Sequence, residues 1–213
     1  MPLVVSGCRE PVAPAVTHAI VVFRDDVPAY QKLASQKYAE HQLDGSYDVH
    51  TYLEATAVDD GKVRWLKAMQ DAAARFTTVD AFFFSNGGRY DLWAEGLDAV
   101  TRSRVRLVYN TGASNAGQGT RWVALGAKAY VGHRGGNVAP VFLAAFLPRW
   151  LKGKKLSDAV AEANRETHDD LDGLVAQGIE QVLDVAGGPH LDRARLWAGT
   201  EAVITGDSTL TMK

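Results

Sequence analysis

Two stretches in the middle of the chain hold the residue types that could do chemistry. They are Ala81-Phe-Phe-Phe-Ser-Asn-Gly-Gly88 and Arg104-Val-Arg-Leu-Val-Tyr-Asn-Thr-Gly-Ala-Ser-Asn115. Each is an apolar run that stops abruptly in small and polar residues. Such a run reads as a strand buried on both faces of a parallel sheet, whose ligands gather at the carboxyl edge of the strands. The candidate cleft residues are therefore Ser85, Asn86, Gly87 and Gly88 on one strand end, and Thr111, Gly112, Ala113, Ser114 and Asn115 on the next. A third strand end adds His133 and Arg134. Neither central edge carries a strong nucleophile beside a base. An amide such as Asn86 takes up no proton near neutral pH, and the hydroxyl of Ser114 has no predictable base next to it. His133 reads as a base or ligand in the cleft or, by preference, as a loop histidine bonded to backbone.

The loop Gly112 to Gly119 is glycine-rich and follows a strand. Phosphate cradling needs a Lys-Ser or Lys-Thr after such a loop, or Gly-x-Gly-x-x-Gly opening a helix. Neither is present, so the loop reads first as a turn, with a nucleotide or small-molecule site as the lesser alternative. The histidines show no metal-ligand spacing, and His168-Asp-Asp-Leu-Asp172 reads as a solvated helix face. No metal and no cofactor are expected.

The elements that must position these edges alternate between strand and helix patterns. Strands are expected at 17–23, 47–57, 81–84, 104–110 and 127–132. Helices are expected after Pro28 with a stripe of Tyr30, Leu33, Ala34, Tyr38 and His41, then over 62–76 with Trp65, Met69, Ala72, Ala73 and Phe76 on one face. Residues 89–103 read as a short helix or loop under Leu92, Trp93, Leu97 and Val100. An apolar helix runs from an Asn137 cap to about Leu151, kinked or ended at Pro148, and another is capped by Ser157. The tail 194–212 reads as two short strands or a hairpin. Alternation of this kind predicts an α/β fold: a three-layer αβα sandwich on a mainly parallel sheet. Residues 1–16, with three prolines, read as an N-terminal arm, and 17–213 as one domain.

Composition narrows the function classes. With 46% apolar and 23% charged residues, the chain falls in the globular range, and its net charge of −2 gives no reason to expect nucleic acid or an anionic membrane as partner. No apolar run approaches the roughly 18 residues of a membrane span. The single Cys8 forms no internal disulfide, which suits a cytoplasmic setting. Val5-Ser6-Gly7-Cys8 has the look of a lipoprotein box, but it lies too close to Met1 and reads as a chance match.

Taken in order, these motifs resemble the caspase-like cysteine peptidases, the clan CD or caspase-hemoglobinase group, and among them the bacterial gingipain-type and CHAT domains. That family has a strand ending in His-Gly and, about two dozen residues later, a strand ending in Cys. Leu125-Gly-Ala-Lys-Ala-Tyr-Val-Gly132 is similar to its next strand, Phe142 to Asn164 to its following helix pair, and Ala202 to Leu210 to its closing strand. In the family the histidine takes the thiol proton and the thiolate attacks the peptide carbonyl. Here the histidine position falls on Asn86, and the cysteine position on Ala113 or, slipped by one, on Gly112.

The resemblance thus implies a pseudo-peptidase without an intact dyad, binding a protein or peptide as scaffold or regulatory subunit. Its partner would be an active relative, itself or a peptide. Two alternatives stay open. One is an active cysteine peptidase whose cysteine was replaced by alanine at position 113 for crystallisation. The other is the small-molecule or nucleotide site at Gly112 to Gly119.

Overall fold

A computed structural model describes residues 17–25, 27, 29–56, 60–135, 139–176 and 198–212. Its frame is a six-stranded sheet with the order β2-β1-β3-β4-β5-β6. The strands are β1 (His18–Arg24), β2 (Val49–Glu54), β3 (Thr78–Phe84), β4 (Val105–Asn110), β5 (Ala129–His133) and β6 (Ala202–Gly206). All neighbouring pairs are parallel except β5 and β6. The parallel strands therefore deliver their carboxyl ends to one edge, where the candidate residues lie.

Helices cover both faces, as central strands buried on both sides require. One face packs against α1 (Ala29–Ala34), its continuation through α2 (His41–Asp44), α6 (Ala139–Leu151) and α7 (Leu156–Ala176). Its core holds Ile20, Phe82, Tyr109, Leu43, Phe146 and Trp150. The other face packs against α3 (Gly61–Arg75), α4 (Ala99–Arg104) and α5 (Gly119–Ala124). Its core holds Val21, Phe83, Val108, Trp65, Met69 and Trp122. Consecutive residues of β3 alternate between the cores, Phe82 to one and Phe83 to the other. The structure is the αβα sandwich expected from the alternation of patterns.

The centre of the sheet contains a buried ion pair. Arg106 on β4 meets Asp80 on β3 in a fork, Nε to Oδ1 at 2.9 Å and Nη2 to Oδ2 at 2.6 Å, with Asp80 fully buried. The Tyr47 hydroxyl and the Leu107 N–H also donate to that carboxylate. Arg106 in turn donates to the Met212 carbonyl at 3.3 Å and lies over the Trp150 ring. The pair marks a bulge: Val79 pairs with Val105, but Ala81 pairs with Val108. Two residues of β3 thus oppose three of β4, and Arg106 and Leu107 point to the same face.

Several expectations need correction. The helix after Pro28 passes through a π-helical stretch, Ser35–Glu40. Its wider turn rotates the buried stripe onto Ser35, Ala39 and Leu43 and leaves Leu33 and His41 exposed. Arg24 holds that stretch in place through Ser35 Oγ at 2.9 Å and ion pairs to Glu40 and Glu54. Leu92 is exposed and Leu97 fully inside, because 90–96 forms two 3₁₀ turns rather than one amphipathic helix, and Val100 is exposed on α4. Pro148 sits inside α6 without ending it, and Ser157 lies in the first turn of α7 rather than capping it. The tail is one strand, β6, and no hairpin among the described residues, because β5 supplies its antiparallel partner. Asn137, the arm 1–16, the first residues of the tail (194–197) and the side chains of Tyr30, Ala34 and Tyr38 lie outside the described residues.

Asp80→Ala would leave a guanidinium buried without its counter-charge. It should cost about 3–5 kcal/mol in urea unfolding, whereas replacing both partners by apolar residues (Asp80→Leu with Arg106→Met) should cost much less.

Candidate functional site

The two central strand ends meet at the carboxyl edge of the sheet. β3 and β4 stay paired to the last rung, where Thr111 N–H donates to the Phe83 carbonyl at 2.9 Å. Ser85 closes the gap beyond. Its N–H donates to Thr111 Oγ1 at 3.0 Å and its hydroxyl donates to Asn110 Oδ1 at 3.0 Å. Asn86 and Ala113 then lie side by side, with the Ala113 N–H donating to the Asn86 carbonyl at 3.2 Å.

Of the two residues that could match a nucleophile position, only Ala113 has room for a side chain. A Cβ on Gly112 would lie 2.8 Å from Ser85 Oγ and 3.0 Å from the Gly87 backbone. Gly112 is therefore a point of close approach between the two loops. Ser114, the next residue, adopts φ +53°, a left-handed conformation uncommon for a residue with a Cβ. It turns the loop so that the Ser114 side chain is exposed at the edge.

Asn115, buried at 1%, ties this loop to the rest of the edge. Its amide donates to the carbonyls of Asn110 and Gly112, and its Oδ1 accepts from the His133 N–H at 2.8 Å. Its own carbonyl accepts from the Tyr130 hydroxyl at 3.0 Å. Asn110 is the second hub, since Oδ1 accepts from Gly112 N–H as well as from Ser85. Gln118 links the loops from the far side, donating to the Gly88 carbonyl at 2.6 Å. Asn110, Gln118 and Tyr130 were not among the residues singled out by sequence. The one available signal was a polar Asn110 ending an apolar strand.

Five main-chain donors of this loop are bonded within the edge itself. The N–H groups of Gly112, Ala113, Ser114, Asn115 and Gln118 donate respectively to Asn110 Oδ1, Asn86 O, Gly135 O, His133 O and Asn115 O. What remains open is a shallow pocket of about 240 Å³ bounded by Arg89, Ser114, Gly117 and Gln118. Arg89 faces it while forked onto Asp91 at 2.9 and 2.8 Å.

His133 and Arg134 enter the site differently from one another. The His133 ring is fully buried on the opposite side of the strand end, edge-on to Phe142 at 5.1 Å. Nδ1 bonds the Thr200 carbonyl at 2.8 Å and Nε2 faces the Tyr109 hydroxyl at 3.4 Å. Only its backbone reaches the cleft loop, so its ring is not a cleft wall: the last residue of β5 points into the core by the strand alternation. Burial lowers its pKa to about 4 and keeps the imidazole neutral. Arg134 is exposed and paired with Glu201 at 2.9 Å. Burial also raises the hydroxyl pKa values of Tyr90, Tyr109 and Tyr130, with Asp25 adding to the shift at Tyr90, so these phenols stay protonated.

Among the described residues no group of three His, Cys, Asp or Glu side chains is placed to hold a metal ion, and no helix is long and apolar enough to cross a membrane. No protein-family model matches the chain, and no curated protein matches it in sequence.

Two outcomes follow from this geometry. The depressed pKa of His133 means that the unfolded chain takes up a proton before the folded one as pH falls. Its contribution is complete above about pH 6.5 and is lost as pH drops towards about 4, amounting to roughly 3 kcal/mol. Urea titrations across that window should show the loss, and a His133→Phe variant should lack it. Ser114→Gly, which relieves the left-handed strain, should raise stability by about 0.5–1 kcal/mol, read as the unfolding midpoint.

Proposed function

We propose that the protein binds a protein or peptide through a caspase-like edge that has lost peptidase chemistry, acting as a scaffold or regulatory subunit. The observation that carries this reading is the pairing of Asn86 with Ala113. The two strand-end positions that match the family's base and nucleophile are adjacent through a 3.2 Å backbone bond, and they present an amide and a methyl group. The sheet order and the antiparallel last strand are compatible with it.

A second support is the internal use of the loop's N–H groups. An oxyanion hole works through donors aimed at the developing charge, and here those of Ala113 and Ser114 are already bonded. The same bonding weighs against phosphate cradling at Gly112 to Gly119. The reading sets this role in the cytoplasm, because a single cysteine makes no internal disulfide. Partners on this reading are a peptide, an active relative or a second copy, met through the sheet edges or the cleft.

Incubation with a peptide library, followed by mass spectrometry, should show no cleavage by the protein or by Ala113→Cys, since Asn86 supplies no base. Cleavage by Ala113→Cys alone would instead support an active peptidase whose cysteine was replaced.

A further inference from the structure

The edge strand β2 differs from a protected sheet edge. One side of it pairs with β1, and the other has no strand neighbour among the described residues. Its sequence, Val-His-Thr-Tyr-Leu-Glu, contains no lysine and no proline, the residues that usually blunt such edges. Its one charge, Glu54, is turned back into ion pairs with Arg24 at 2.5 Å and Lys32 at 2.6 Å. Beside the open edge, between β2 and α3, runs a groove of about 390 Å³. Val49, Leu53, Ala68, Ala72 and Phe76 give it an apolar floor.

The charge along this groove is uneven. Arg64, Lys67 and Arg75 line it, against Asp71 as the only carboxylate. Arg64 is fixed by donating to the Glu54 carbonyl at 2.5 Å. Lys67 and Asp71 form an exposed pair one helical turn apart, a contact worth only a few tenths of a kcal/mol and easily exchanged. Arg75 is exposed at the far end, over the Phe76 ring.

We infer that this edge docks an extended acidic peptide segment, which adds a strand to β2 and lays alternate side chains into the α3 groove. This rests on the binding reading above and assigns it a surface and a partner chemistry. Lys67 and Arg75 are separated by eight helical residues, about 12 Å at 1.5 Å per residue. An extended strand covers that distance in about four residues at 3.3 Å each. The matching segment therefore carries carboxylates at i and i+4 and an apolar residue at i+2, all on one face. The carboxylates meet Lys67 and Arg75, and the apolar residue meets the floor between them. Backbone N–H and C=O groups of β2 supply the remaining bonds.

The test uses the full chain and a fluorescein-labelled peptide Thr-Glu-Thr-Val-Thr-Glu-Thr, read by anisotropy at low and high salt and by backbone amide shifts. Saturable binding that weakens with salt and shifts the amides of Val49 to Leu53 is expected. Lys67→Glu combined with Arg75→Glu, two exposed positions, should weaken it at least tenfold and favour the lysine-for-glutamate peptide instead. No binding, or binding indifferent to that charge reversal, overturns the inference. Shifts confined to Ser114 and Gly117 also overturn it, while leaving the general binding reading standing. Loss of that general reading would show separately, as cleavage in the library assay.

Discussion

The fork between Asp80 and Arg106 governs the register of the central strands. The Asp80 carboxylate takes the Leu107 N–H as well as the guanidinium, and the extra residue of β4 is accommodated there. Strand side chains alternate with period two, so one extra residue reverses every facing beyond it. That insertion decides which core each later residue enters, Val108 one and Tyr109 the other, and it brings Asn110 opposite Phe83. Only then does the Asn110 amide oxygen lie where Ser85 and Gly112 can both donate to it. A charge pair near the amino ends of the two central strands thus sets the geometry at their carboxyl ends. Isolated buried charges are costly, and this one is tolerated because tyrosine, backbone and arginine together satisfy the carboxylate.

The edge itself is held by amides rather than by charges. Asn110, Asn115 and Gln118 supply donors and acceptors at fixed angles and stay neutral across the biological pH range. Together they stitch three loops that come from different strands. The result is a pre-organised surface in which the N–H groups of Gly112, Ala113, Ser114, Asn115 and Gln118 are bonded internally.

Much of this was legible in the sequence. Uniformly apolar runs ending in Ser-Asn-Gly-Gly and Thr-Gly-Ala-Ser-Asn marked the central strands and their shared edge, because burial on both faces leaves no alternation to misread. The face of α3 followed equally directly from Trp65, Met69, Ala72 and Ala73. The stripe of the first helix did not, since a π-helical turn breaks the 3.6-residue period on which such reasoning depends. The bulge at Arg106 was hidden for a related reason: an added residue leaves no mark in composition. His133 was placed at the cleft edge by its neighbours in sequence and read by preference as bonded to backbone; that bond is found, at the Thr200 carbonyl 67 residues away, but strand parity turns the ring into the core. The hubs Asn110 and Gln118 act through partners that are distant or main-chain, and neither type of partner is visible in local pattern.

The reach of Arg106 to the Met212 carbonyl spans 106 positions of chain. Contacts this remote must wait for loop closure, and closing them late slows folding. Asp80 and Tyr47 precede the guanidinium in sequence, whereas the Met212 carbonyl lies 106 positions after it. Trp150 and Met212 belong to the same core face and close it over the arginine. The segment around Met212 is thus part of the interior, and removing it would strike the core rather than the surface.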